Sequence, residues 1–187
     1  MARIGTGYTH TAIALHWLAG LLILCGFTLG LSLKDLAISP QTLRLYGYHK
    51  WIGITVFLLA MARLAWRWSH PAPPPVAMPE WQRRAAAATH ALLYAFMLVI
   101  PLSGWIYSSA TGVEVVYLGL VPLPDLVPKD KALASALKVV HVTLNYTLLA
   151  LVTVHAGAAL KHHFVDRDDV LRRMLPFRPR PRRDSTP

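Results

Sequence analysis

The chain has 187 residues, of which 55% are hydrophobic and only 15% charged, and its mean hydropathy is +0.41. Soluble domains carry about 45–50% apolar and about 25% charged residues, so an ordinary soluble domain is excluded, and the hydrophobicity excludes a disordered chain. The net charge of +10 arises from 19 Lys and Arg against 9 Asp and Glu. These basic residues flank apolar runs, a pattern of membrane topology rather than nucleic-acid binding.

In chain order, four apolar stretches are long enough to cross a bilayer: Thr11–Leu33, Gly47–Trp66, Ala85–Tyr107 and Lys138–Leu160. Each corresponds to about 30–35 Å of helix. They predict an all-α fold, an integral membrane four-helix bundle spanning 1–175. The first stretch is too long for the apolar region of a signal peptide and reads as a retained helix. Pro71-Ala72-Pro73-Pro74-Pro75 breaks the chain between spans two and three, and Pro122, Pro124 and Pro128 break it between spans three and four. Pro101 lies inside span three, where a kink is expected. Ser108 to Leu137 reads as a long outer loop, and 176–187 as a basic Pro/Arg-rich tail that meets anionic lipid.

Counting Lys and Arg orients the bundle. Arg3, Arg63, Arg67, Arg83, Arg84, Lys161, Arg167, Arg172, Arg173, Arg178, Arg180, Arg182 and Arg183 fall on one side. Lys34, Arg44, Lys50, Lys129, Lys131 and Lys138 fall on the other. The positive-inside rule places both termini in the cytoplasm.

The chain has nine histidines, while the four predicted spans contain no Asp or Glu. Ionisable residues inside a membrane are costly and mark function. A carboxylate relay has no residues to build it. His16 and His155 lie about 7.5 Å in from the cytoplasmic ends of their spans, with His90 at similar depth. His49 and His141 lie about 3–5 Å in from the outer ends. Span four contributes to both layers, because 14 residues bring His141 and His155 to one side of the helix, about 21 Å apart. One helix can thus hold two stacked cofactors. Neutral imidazole is a good axial ligand for haem iron, and two per iron leave no open position, which favours electron transfer over oxygen binding. The single cysteine, Cys25, excludes thioether attachment through C-x-x-C-H. Gly20 and Gly53 lie one turn after His16 and His49, where a porphyrin edge or ordinary close helix packing would use them. By depth alone, His90 could replace either inner ligand. His10, His70, His162 and His163 lie at interfaces or loops and read as structural, and zinc lacks a nearby carboxylate or thiolate. Trp and Tyr near the span ends form aromatic belts, and Arg63 and Arg67 either snorkel or meet propionates.

The segments Leu15-His16-Trp17, Tyr48-His49-Lys50-Trp51-Ile52-Gly53, Leu160-Lys161-His162-His163-Phe164 and Asp169-Val170-Leu171-Arg172-Arg173-Met174-Leu175-Pro176 resemble the bacterial cytochrome b561 family over nearly the whole chain. The resemblance implies two haem b groups per chain in a multi-pass protein of the bacterial inner membrane. It pairs His16 with His155 and His49 with His141 as iron ligands and leaves His90 a non-ligand. It also implies electron transfer to membrane quinone, with ubiquinone as substrate. The donor is either superoxide, as in the superoxide oxidase type, or a redox protein, with the chain as a non-catalytic subunit of a larger complex. The outer lysines form either a basic funnel for a small anion or scattered loop charges. A haem-free membrane protein using histidines as polar glue is the remaining alternative.

Overall fold

The computed structural model describes residues 7–176. Arg3, Arg178, Arg180, Arg182, Arg183 and the basic tail of the sequence reading therefore lie outside the described residues. Four helices dominate: α1 (His10–Ser32), α2 (Pro40–Ser69), α3 (Glu80–Thr111) and α4 (Lys131–Lys161). All four are long and apolar enough to cross a membrane.

The predicted spans lie on these helices, but α2, α3 and α4 are 30, 32 and 31 residues long, about 45–48 Å. Hydropathy detects the part in lipid, whereas polar caps set where α2 and α4 begin. Ser39 accepts a hydrogen bond from the Thr42 N–H, and Pro40 fits the first helical position, where a missing N–H costs nothing. Asp130 accepts from the Ala132 and Leu133 N–H groups at 2.8 and 3.0 Å. Glu80 opens α3 and pairs with Arg83 and Arg84. Helix α3 continues through Pro101. It ends at Gly112, whose φ of 73° suits the left-handed cap and whose N–H meets the Ser108 and Ser109 carbonyls.

The long outer loop is shorter than the sequence suggests and is structured, which corrects the all-α reading in one place. Strands β1 (Val115–Tyr117) and β2 (Val121–Leu123) form an antiparallel hairpin, with Val116 opposite Pro122. Gly119, with φ of 71°, turns it. Pro122 is tolerated because both strands are edges. The hairpin is fastened to α2: the Trp51 indole donates to the Val116 carbonyl at 2.7 Å, and Thr55 and Tyr117 hydroxyls lie 3.0 Å apart.

Sequence-adjacent helices pack against one another, and a core of Ala19, Val56, Ala60 and Met97 closes α1, α2 and α3 at mid-bundle. Small residues permit the approach: a Cβ on Gly26 would stand 3.0 Å from Ile52 Cγ2. Helices α1 and α4 stand further apart, and aromatic rings bridge them, with Phe27 and Tyr146 centroids at 6.0 Å. Leu21, Leu24, Val139 and Val154 stay exposed on the outer faces, as a lipid-facing surface requires.

The α1 start, α2 end, α3 start and α4 end meet at one end of the bundle, and the hairpin marks the other. Past α4 the chain makes a π-helical turn (His162–Asp166) and a 3₁₀ turn (Arg172–Met174). It then crosses the bundle end. The Trp17 indole donates to the Met174 carbonyl at 2.6 Å, and the Arg173 guanidinium to the Pro74 carbonyl at 2.7 Å.

Candidate functional site: two layers of histidine

Helix periodicity brings the histidines together in two layers. Near the terminal end, His16 on α1 faces His155 on α4, with ring centroids 6.1 Å apart and planes at 76°. Near the hairpin end, His49 on α2 faces His141 on α4, at 6.2 Å and 83°. His90 on α3 joins the first layer, its centroid 5.3 Å from that of His155. Trp17 stands against His16, with centroids 5.4 Å apart.

Two facing imidazoles that share one metal, each through a nitrogen about 2 Å away, have centroids roughly 6–6.5 Å apart. The His16/His155 and His49/His141 separations fall in that range. The His90/His155 separation is shorter than such linear coordination needs. The donor set also suits haem iron: paired neutral imidazoles in an apolar helical bundle. The residues present therefore fit the group.

Glycines make room for the outer pair. A Cβ on Gly30 would lie 3.0 Å from His49 Cε1, and one on Gly104 would lie 2.9 Å from His141 Cε1. The sequence reading missed both and chose Gly20 and Gly53, which lie one turn from a histidine in sequence. Gly20 and Gly53 line a cleft between the helices beside His49 and His141, open space of the kind that a porphyrin edge would need. A Cβ on Gly20 would meet nothing within 4 Å. The missed pair presses on histidines of other helices, a relationship that spacing along one helix does not reveal.

The His141 ring is also held by hydrogen bonding. Its Nδ1 lies 2.9 Å from Ser103 Oγ, and that hydroxyl lies 2.7 Å from the Ile100 carbonyl. By contrast, His49 Nδ1 is buried without a side-chain partner, and only the Gly26 backbone carbonyl approaches the ring.

At the hairpin end a cleft of about 270 Å³ opens over His49 and His141. Lys34, Lys50 and Lys138 line it, with Tyr46 and Trp105. Among the other predicted outer cations, Lys129 covers Gly112, and Arg44 and Lys131 are not in this cleft. Lys50 Nζ also reaches the Glu114 carbonyl at 3.3 Å. At the terminal end a smaller hollow is lined by Arg63, Arg67, Tyr94, Trp66 and His70. Arg63 sits over the Tyr94 ring, 5.3 Å from its centroid. His70 caps α2 and stacks on Trp66, with centroids 4.0 Å apart.

The expectation that no carboxylate stands beside a histidine is corrected at the chain end. His162 Nδ1 lies 2.6 Å from Asp168 and 3.3 Å from Asp166. These groups already answer one another, since Lys161 pairs with Asp166 at 2.6 Å and the Val170 N–H donates to Asp168. Burial raises the Asp168 carboxyl, but the Val170 N–H, the His162 hydrogen bond and the positive charges of His162 and Arg173 outweigh it and hold it below its ordinary range.

The family described as prokaryotic cytochrome b561 matches residues 7–177. Cytochrome b561 homolog 2 of Escherichia coli K12 is 33% identical over 178 residues, covering 90% of each chain. Cytochrome b561 homolog 1 of the same organism is 32% identical, covering 91% of this chain and 98% of its own. The probable superoxide oxidase CybB of Yersinia pestis is 28% identical, covering 90% of this chain and 96% of its own. With the match running from the start of α1 past the end of α4, the chain belongs to the prokaryotic cytochrome b561 family.

Proposed function

We propose that the chain moves electrons across a bacterial inner membrane through two b-type haems, from a donor at the hairpin end to membrane quinone. Family membership implies a multi-pass membrane protein that binds haem b and transfers electrons. Two haems per chain, their ligands, the orientation and the reaction partners are our reading. His16 and His155 would hold one haem, and His49 and His141 the other. The observation that carries this is the pair of centroid separations, 6.1 and 6.2 Å, each suited to one iron between two imidazoles. The haems supply one-electron chemistry when bound.

The chain's own residues do the rest. Two imidazoles per iron leave no position for oxygen. Ser103 and the two glycines orient the outer rings. The Lys and Arg excess supports cytoplasmic termini, which puts the hairpin end in the periplasm. Lys34, Lys50 and Lys138 around the outer cleft favour a small anion. Superoxide fits this chemistry, and the relatives include the protein named probable superoxide oxidase CybB. Two superoxide anions, one quinone and two protons give two O2 and one quinol.

The test is stopped-flow mixing of the purified oxidised protein with superoxide, followed by addition of a soluble ubiquinone analogue. Reduction by superoxide and reoxidation by the quinone are expected. If superoxide leaves the spectrum unchanged while a stoichiometric redox protein co-purifies and reduces it, the chain is instead the electron-transfer subunit of a larger complex.

A further inference from the structure

We infer that Ser103 is a positioning residue for His141, fixing its tautomer and lowering the reduction potential of the haem held by His49 and His141. This rests on the proposal that these two histidines are iron ligands. A serine hydroxyl has one proton and two lone pairs. Ser103 is buried, and its Oγ has two neighbours, the Ile100 carbonyl at 2.7 Å and His141 Nδ1 at 2.9 Å. A carbonyl only accepts, so the hydroxyl proton goes to Ile100. The Oγ lone pairs then accept from His141 Nδ1–H, which the Ile100 carbonyl also approaches. With the proton on Nδ1, the Nε2 lone pair is free for iron. Gly104, the next residue, leaves room for the ring's Cε1, where a Cβ would stand at 2.9 Å. One turn of α3 thus sets both the orientation and the protonation of a ligand on α4.

A hydrogen bond accepted from the outer nitrogen of a ligating histidine makes that imidazole more basic. A more basic ligand stabilises ferric over ferrous iron and lowers the potential. The inner layer lacks this device, since the rings of His16 and His155 make no hydrogen bond among the described residues, and His49 has only the Gly26 backbone carbonyl near its ring, with no side-chain partner. The asymmetry therefore acts on the outer layer alone. A lower potential in the layer that receives electrons favours their passage to the other layer.

The experiment is a spectroelectrochemical titration of purified wild type, Ser103→Ala, Ser103→Cys and His141→Ala. Ser103→Ala is expected to keep two haems and raise one midpoint by about fivefold in the reduction equilibrium, roughly 40 mV for a one-electron couple at 59 mV per tenfold. The second midpoint stays in place. Ser103→Cys, whose sulfur is a weak acceptor, is expected to move the same midpoint less far. Unchanged midpoints in both variants overturn the inference, because a packing role alone does not shift a potential. Should Ser103→Ala lose a haem, the Ser103→Cys titration decides. His141→Ala separates the two levels of the argument. Retention of two haems there refutes the ligand assignment itself, whereas loss of one upholds it and leaves Ser103 to be judged on its own variants.

Discussion

His49 on α2 and His141 on α4 face each other with ring centroids 6.2 Å apart, and the same α4 presents His155 to His16 at 6.1 Å. One helix therefore serves both layers. Single replacements separate the layers: His16→Ala or His49→Ala is expected to halve the haem content, each removing a different haem. Pyridine haemochrome assay per chain measures this, and a full haem complement in either variant refutes that ligand.

Glycine cradles give a second prediction. Gly104→Ala puts a methyl 2.9 Å from His141 Cε1, inside contact distance. The ring must shift, at about 1–3 kcal/mol for an overpacked site. Weaker retention of the outer haem and a lower Tm are expected. Gly20→Ala, which meets no protein atom within 4 Å, is expected to leave the apoprotein fold intact. Equal melting of the two variants would contradict this packing.

Charge around the outer cleft gives a third. Replacing Lys34 and Lys138 with Gln is expected to slow reduction by superoxide at low ionic strength. The difference should fade as the Debye length shortens to about 8 Å at 0.15 M. Stopped-flow rates against salt measure it. Identical rates for wild type and variant at every salt concentration would remove steering from the account.

Asp168 gives a dependence on pH. Its carboxyl titrates lower in the folded chain than in an unfolded one, because the Val170 N–H and His162 outweigh its burial. Its contribution is therefore present above the ordinary aspartate value of about 3.9 and is lost as pH falls through the lower folded value. Only a few tenths to about 1 kcal/mol is expected at this partly exposed site. Asp168→Asn is expected to release the segment whose Met174 carbonyl meets the Trp17 indole, measured as faster proteolysis at pH 7. At pH 3 the difference from wild type should narrow. Equal proteolysis of the two proteins at both pH values would contradict this role for the His162–Asp168 contact.

The spans and the histidine layers were legible because hydropathy and a period of 3.6 residues are local. Thr11–Leu33 and α1 (His10–Ser32) differ by one residue at each end. Helix α2 instead starts at Pro40, because Ser39 caps it well before the apolar run begins. The hairpin was hidden by its length, three residues per strand, and by Pro122. Gly30 and Gly104 were hidden because each clears a histidine on another helix. Asp166 and Asp168 reach His162 only through the π-helical turn and Arg167, whose φ is 54°, and sequence does not announce such a turn.

The central claim is two haems per chain, one in each layer. The most direct measurement is the dithionite-reduced minus oxidised absorption spectrum of protein expressed with ample haem, combined with haem per chain. The account predicts two low-spin b haems. A colourless protein, or one haem per chain, would contradict it.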